Sequence, residues 1–339
     1  MNNENNLNPI NIEYLQDLSN DSNNQFSVFY LDNKFCVFKA INNIIYHIYS
    51  SNKFSIISYD LVNNKKINEI KKAHYYTVKG IRYIYDKFQK RYLIISISDD
   101  IIKLWNINNF ECILEIKRND KNEFYNSACF LTNINQIFII AGNRKPIQVF
   151  DLNGNIQKEI NKTDNFIFFI DAYYDEKLSK NFIITGNDGY SKSYDFINNK
   201  LYYKYSMNNK DYKNHNSISI LNDKEITQLI DSSADGNIRI WNFHTGQLLK
   251  KIDFSQKELY GICLWNNDYL FVGCKDNSIK LIELKNGNIV KNLSGHNSEV
   301  ITIKKIIHPK YGECIISQGR GKDHLKLWIN KNTINSKKY

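Results

Sequence analysis

Apolar and polar residues alternate in short runs along nearly the whole chain, with turn-forming residues between the runs, as half-buried β-strands require. The stretch LIDSSADGNIRIWNFHTGQLLKKI shows the unit most clearly. Residues 226–232 predict one strand, Ala234-Asp235-Gly236-Asn237 a tight turn, 238–243 the next strand, His244-Thr245-Gly246 a second turn and 247–252 an outer strand. The unit recurs. A bulky residue closes the third strand each time, at Tyr59, Trp105, Phe150, Tyr194, Trp241, Ile282 and Trp328, spaced 46, 45, 44, 47, 41 and 46 residues apart. Seven units of four strands at a period of roughly 40 to 45 residues predict an all-β, seven-bladed β-propeller of four-stranded antiparallel blades.

After Trp328 only INKNTINSKKY remains, too polar for a convincing outer strand. The last blade is therefore expected to take its fourth strand from the N-terminal side, either 10–15 or 25–31, which would close the ring and remove its free edges. The expected organisation is an N-terminal segment over 1–25, a propeller over 26–330 and a polar tail over 331–339.

Composition agrees with one large closed fold. Hydrophobic residues make up 42% of 339, and 23 Tyr with 19 Phe supply the bulk that fills the space between stacked sheets. Only 14 Gly and 3 Pro are present, so Asn and Asp are expected at the turns, where both tolerate left-handed backbone. The net charge of +10 is dispersed as Lys pairs, such as Lys65 with Lys66 and Lys304 with Lys305, and only six Arg occur. This pattern describes a solvated basic surface better than a nucleic-acid footprint. The six Cys include no CxxC pair, which argues against structural zinc and for small buried hydrophobes in a reducing compartment. The first residues lack a basic and apolar leader, and no run of about 18 apolar residues occurs, so a cytoplasmic or nuclear protein is expected.

Three units carry further marks: His215 with Ser233, Asp235 and Trp241; His74 with Ser98, Asp99 or Asp100, and Trp105; Gly295-His296 with Asp323 and Trp328. These resemble WD-repeat blades, with Asn242 where that family often has Asp. The resemblance spans roughly 26–330 and is degenerate in the other four units. It implies a buried hydrogen-bond network of His74, Trp105, His215, Ser233, Asp235, Trp241, His296, Asp323 and Trp328, in which Asp fixes His, His meets Ser and Ser meets the indole. On that basis Asp235→Ala is expected to destabilise the fold by on the order of 1 to 3 kcal/mol. The same residue types could suggest a hydrolase triad, but the structural role is favoured. SQGRGKDH at 317–324 lacks the spacing and strand-to-helix context of a phosphate loop. No catalytic constellation, cofactor fingerprint or metal-ligand set is found, so no enzyme activity, cofactor or metal is expected.

In a WD-type blade the interblade connections and the turn before the anchor strand share one face. Candidate partner-binding residues there are Tyr75, Tyr76, Arg144, Lys145, Tyr212, Lys275, Arg320 and Lys322, aromatic and basic groups suited to an acidic peptide. The expected function is a scaffold or adaptor for other proteins. The alternative is an RNA-associated or ribonucleoprotein subunit using the same basic face. The Trp-Asp-x-Arg run of ubiquitin-ligase receptors and the Phe-Arg-Arg-Gly run of phosphoinositide-binding propellers are both missing, so neither role nor membrane binding is favoured.

Overall fold

The computed structural model describes residues 10–18, 35–40, 44–51, 54–118, 125–142, 146–160, 166–206, 214–223, 225–254, 258–320, 323 and 325–332. Seven four-stranded antiparallel sheets follow one another around a ring. Each blade begins at the central channel and ends at the perimeter, as in blade 5 with Ile-rich strands His215–Asn222, Thr227–Ser233, Asn237–Asn242 and Leu248–Asp253. Blades 1 to 4 start with Phe35–Lys39, Gly80–Asp86, Ser127–Thr132 and Ile167–Asp175, and blades 6 and 7 with Leu259–Leu264 and Val300–His308.

The apolar alternation explains why the ring holds. Each middle strand points alternate side chains at its two neighbouring blades, so burial is divided among seven clusters, one per blade interface. Ile230, Ile238 and Ile240 of blade 5 meet Leu259, Leu270 and Val272 of blade 6, while Leu229 and Trp241 on the opposite side meet Phe182 and Tyr205 of blade 4. Blades approach closely near the channel. A Cβ on Gly273 would stand 2.3 Å from the Val300 carbonyl oxygen, so blade 7 can dock on blade 6 only if that residue is glycine.

Closure comes from the N-terminal side. Ile12–Asp17 pairs antiparallel with Leu325–Asn330, with Ile12 opposite Asn330 and Tyr14 opposite Trp328. Backbone bonds from Leu18 to Leu325 and from Lys331 to Asn11 extend the join. This is the earlier of the two expected segments; 25–31 lies outside the described residues.

Asn does take left-handed turn positions, at Asn64, Asn199 and Asn277, but Gly236, Gly246 and Gly287 hold comparable ones. More Asn and Asp act through their side chains. In blades 1, 2, 4 and 5 the residue after the anchor caps the next hairpin: Asp60 accepts the Val62 N–H at 3.0 Å, Asn106 that of Asn108 at 3.1 Å, Asp195 those of Ile197 and Asn198 at 2.9 Å, and Asn242 that of His244 at 2.9 Å. An amide oxygen accepts such bonds as well as a carboxylate does, which is why Asn serves at this position.

Candidate functional site

In three blades a buried histidine and the tryptophan anchor meet in one polar network. In blade 7 the chain of bonds is continuous. The Trp328 indole donates to Ser317 Oγ at 2.7 Å, Ser317 Oγ meets His296 Nε2 at 2.6 Å, and His296 Nδ1 lies 2.8 Å from Asp323 Oδ2. Asp323 also accepts the Asn297 and Ser298 N–H groups. Burial works to raise its pKa, but the bonds from His296 and Asn297 outweigh burial and hold it below the ordinary 3.8. In blade 2 the Trp105 indole meets Ser96 Oγ at 2.8 Å, His74 bridges Ser96 at 2.7 Å and Ser98 at 2.9 Å, and Ser98 donates to Asp100 at 2.7 Å. Burial pushes His74 down to about 4, so the ring is neutral at pH 7.

Blade 5 differs from the expectation at two residues. Trp241 donates to Asp231, whose other carboxylate oxygen lies 3.4 Å from His215 Nδ1. Ser233 and Asp235 are not the partners. Trp241 sits opposite Leu229 in the sheet, and the residue two positions on, whose side chain reaches the indole, is Asp231. Ser96 and Ser317 hold that position in blades 2 and 7, two beyond Ile94 and Ile315. Ser233 lies two residues further along, and Asp235 turns to the buried Arg239. Arg239 also lies 3.8 Å from Asp231. The rule extends to the weaker blades: anchors without an N–H, Phe150 and Ile282, have apolar Ala141 and Val272 at that position.

The expected partner face, here called upper, carries the interblade connections. Tyr75 is 93% exposed and Tyr76 50%, directly after His74. The His74 N–H bonds the Phe54 carbonyl at 3.1 Å and the Lys72 N–H bonds Ser55 Oγ at 3.3 Å, so Phe54, Lys71, Lys72, Tyr75 and Tyr76 share one patch over blades 1 and 2. Lys275 and Arg320 have carboxylate partners within their own blades. Lys275 lies 3.4 Å from Glu258 and Arg320 2.5 Å from Glu299, with the Arg320 guanidinium 5.1 Å over the Tyr260 ring. Tyr260 donates to Glu258 at 2.7 Å, and burial followed by this bond raises its pKa. Lys79, wholly buried, reaches Asp99 at 2.5 Å and the Tyr125 carbonyl at 2.9 Å. On the described part of this face Lys79, Lys275 and Arg320 are thus paired with carboxylates within the fold, whereas Lys71 and Lys72 stand beside the exposed aromatic pair. Arg144, Lys145, Tyr212 and Lys322 lie outside the described residues.

Sequence reasoning missed the pairing of Lys275 and Arg320 because Glu258 and Glu299 stand at the far ends of the same hairpins, before the first strands of blades 6 and 7, and meet them only once the first and second strands of each blade pair. The cysteines fit an inert role: burial raises Cys36 and Cys314 to about 12 and Cys274 to about 11, though Cys112 and Cys263 are only half-buried. Among the described residues no group of three or more His, Cys, Asp or Glu is placed to hold a metal ion, and no helix is long and apolar enough to cross a membrane.

No protein-family model matches the chain. Over 72 residues, 21% of its length, it is 28% identical to the U3 small nucleolar RNA-associated protein 21 homolog of Schizosaccharomyces pombe. The match covers 8% of that protein.

Proposed function

We propose that this chain, a seven-bladed propeller of WD-repeat type, is a non-catalytic scaffold that holds partner proteins on its upper face. The observation that carries the proposal is the Tyr75 and Tyr76 pair, exposed beside Phe54 on a rigid rim with Lys71 and Lys72 adjacent. Rigid aromatic rings offer large contact area at small entropic cost, and adjoining lysines favour an acidic segment in the partner. Lys275 and Arg320 remain candidates only for a partner that exchanges its own carboxylates for Glu258 and Glu299.

A second proposal has its own support. The relative named above is RNA-associated by name, and the same aromatic and basic patch would suit stacking on unpaired bases. On this basis the chain would be a subunit of a nuclear RNA–protein assembly.

One experiment separates the two. Tagged protein is purified from its native lysate with and without nuclease, beside a Tyr75→Ala/Tyr76→Ala variant. Protein partners that resist nuclease and disappear in the variant support the scaffold. Partners lost with nuclease, together with RNA binding that falls steeply between low and moderate salt, support the RNA subunit. Partners retained by the variant refute the upper patch.

A further inference from the structure

The opposite, lower face holds the hairpins between first and second strands, and it exposes more bulky apolar surface than turns require. Phe88, Ile134, Leu178 and Ile226 stand in or beside that hairpin in four successive blades, and Ile307, just before the blade 7 hairpin, is exposed 73%. Where this face crosses the seam between blades 7 and 1, the inner strands Phe35–Lys39 and Val300–His308 leave an open cleft of about 430 Å3. Its apolar walls are Val37, Phe38, Ile45, Ile306, Ile307 and Pro309. Tyr83 of blade 2 stacks on Phe38 at 4.5 Å and braces the wall from behind.

The charged residues that line the cleft are both lysines. Lys39 and Lys305 line it, Lys310 follows Pro309, and no carboxylate is among its lining residues. The acids nearby are engaged. Glu313 pairs with Lys305 at 2.6 Å, and Asp86 caps its own hairpin through the Phe88 and Gln89 N–H groups and pairs with Arg91. No described carboxylate pairs with Lys39 or Lys310.

We infer that this cleft receives the bulky aliphatic or aromatic side chain of an acidic peptide segment in a partner protein. The apolar walls remove the anchor side chain from water, and the lysine rim meets the flanking carboxylates. The inference builds on the scaffold function and gives it a second surface, opposite Tyr75 and Tyr76.

The test is fluorescence polarisation with a labelled synthetic peptide of Asp and Glu bearing one central Leu, against the same peptide with Ser. The Leu peptide is expected to bind at least about tenfold more tightly. Ile307→Asp abolishes that advantage and Ile307→Ala reduces it; the exposure of Ile307 keeps both variants folded, which a melting curve verifies. Lys39→Ala/Lys310→Ala weakens both peptides alike. Tyr75→Ala/Tyr76→Ala changes neither affinity, so failure here is distinct from failure of the upper patch. Equal affinity for Leu and Ser peptides, no binding of either, or an Ile307→Asp variant that binds as the wild type does would each overturn the inference.

Discussion

Trp241 donates its indole N–H to the carboxylate of Asp231, where the indoles of Trp105 and Trp328 meet serine hydroxyls. A buried carboxylate has a larger desolvation cost than a hydroxyl, and it persists here because His215 and Arg239 stand on its other side.

Asp231→Ala is accordingly expected to cost roughly 3 to 5 kcal/mol, since it leaves Trp241, His215 and Arg239 buried with a shared partner missing. Asp235→Ala should cost less, on the order of 1 to 3 kcal/mol, because Arg239 keeps Asp231 as a neighbour. Denaturant titration of the two variants measures both, and the reverse order would contradict the network described for blade 5.

The hairpin caps predict a contrast at a single position. Asn242→Asp keeps an acceptor for the His244 and Thr245 N–H groups and should change stability by less than about 0.5 kcal/mol, whereas Asn242→Ala should cost about 1 kcal/mol. Equal losses in the two variants would show that the side-chain oxygen is not what matters.

Acid should weaken the fold before its carboxylates protonate. His74 falls from 6.5 to about 4 and His47 to about 3, both through burial, so the unfolded chain binds protons that the folded chain refuses. The stability these rings contribute is present above pH 6.5 and lost progressively as pH drops towards 4. Among the described residues neither ring nitrogen of His47 has a hydrogen-bond partner, and the ring packs between Phe35 and Tyr49. His47→Phe should therefore raise the melting temperature at pH 7 and flatten its decline between pH 6.5 and 4. A variant melting profile parallel to that of the wild type would rule this out.

Ring closure rests on one short strand. Ile12 is fully buried and Tyr14 packs edge-on against Trp328 with centroids 5.6 Å apart. Ile12→Asp should cost about 3 kcal/mol or more and expose the edge of Leu325–Asn330, promoting self-association. Melting curves and size-exclusion profiles at rising concentration check both consequences, and a monomeric variant of unchanged stability would show that closure lies elsewhere.

The period and alternation of the chain were sufficient to determine a seven-bladed ring, because a strand must present every second side chain to one neighbour and a blade cannot bury two faces alone. The anchors from Tyr59 to Trp328 were legible for the same reason, each being large and set in a fixed place relative to its turns. Which hydroxyl or carboxylate meets each indole was not legible, since Ser96 and Ser98, or Asp231 and Ser233, differ only in register across a strand pair. Nor was the charge of the upper face. Lys275 and Arg320 acquire Glu258 and Glu299 only through the pairing of first and second strands in blades 6 and 7, and the cleft at Ile307 exists only because the first and last blades of the chain meet. Local pattern dictates strands and turns, whereas pairing between residues of different strands and blades depends on register and closure, which belong to the ring as a whole.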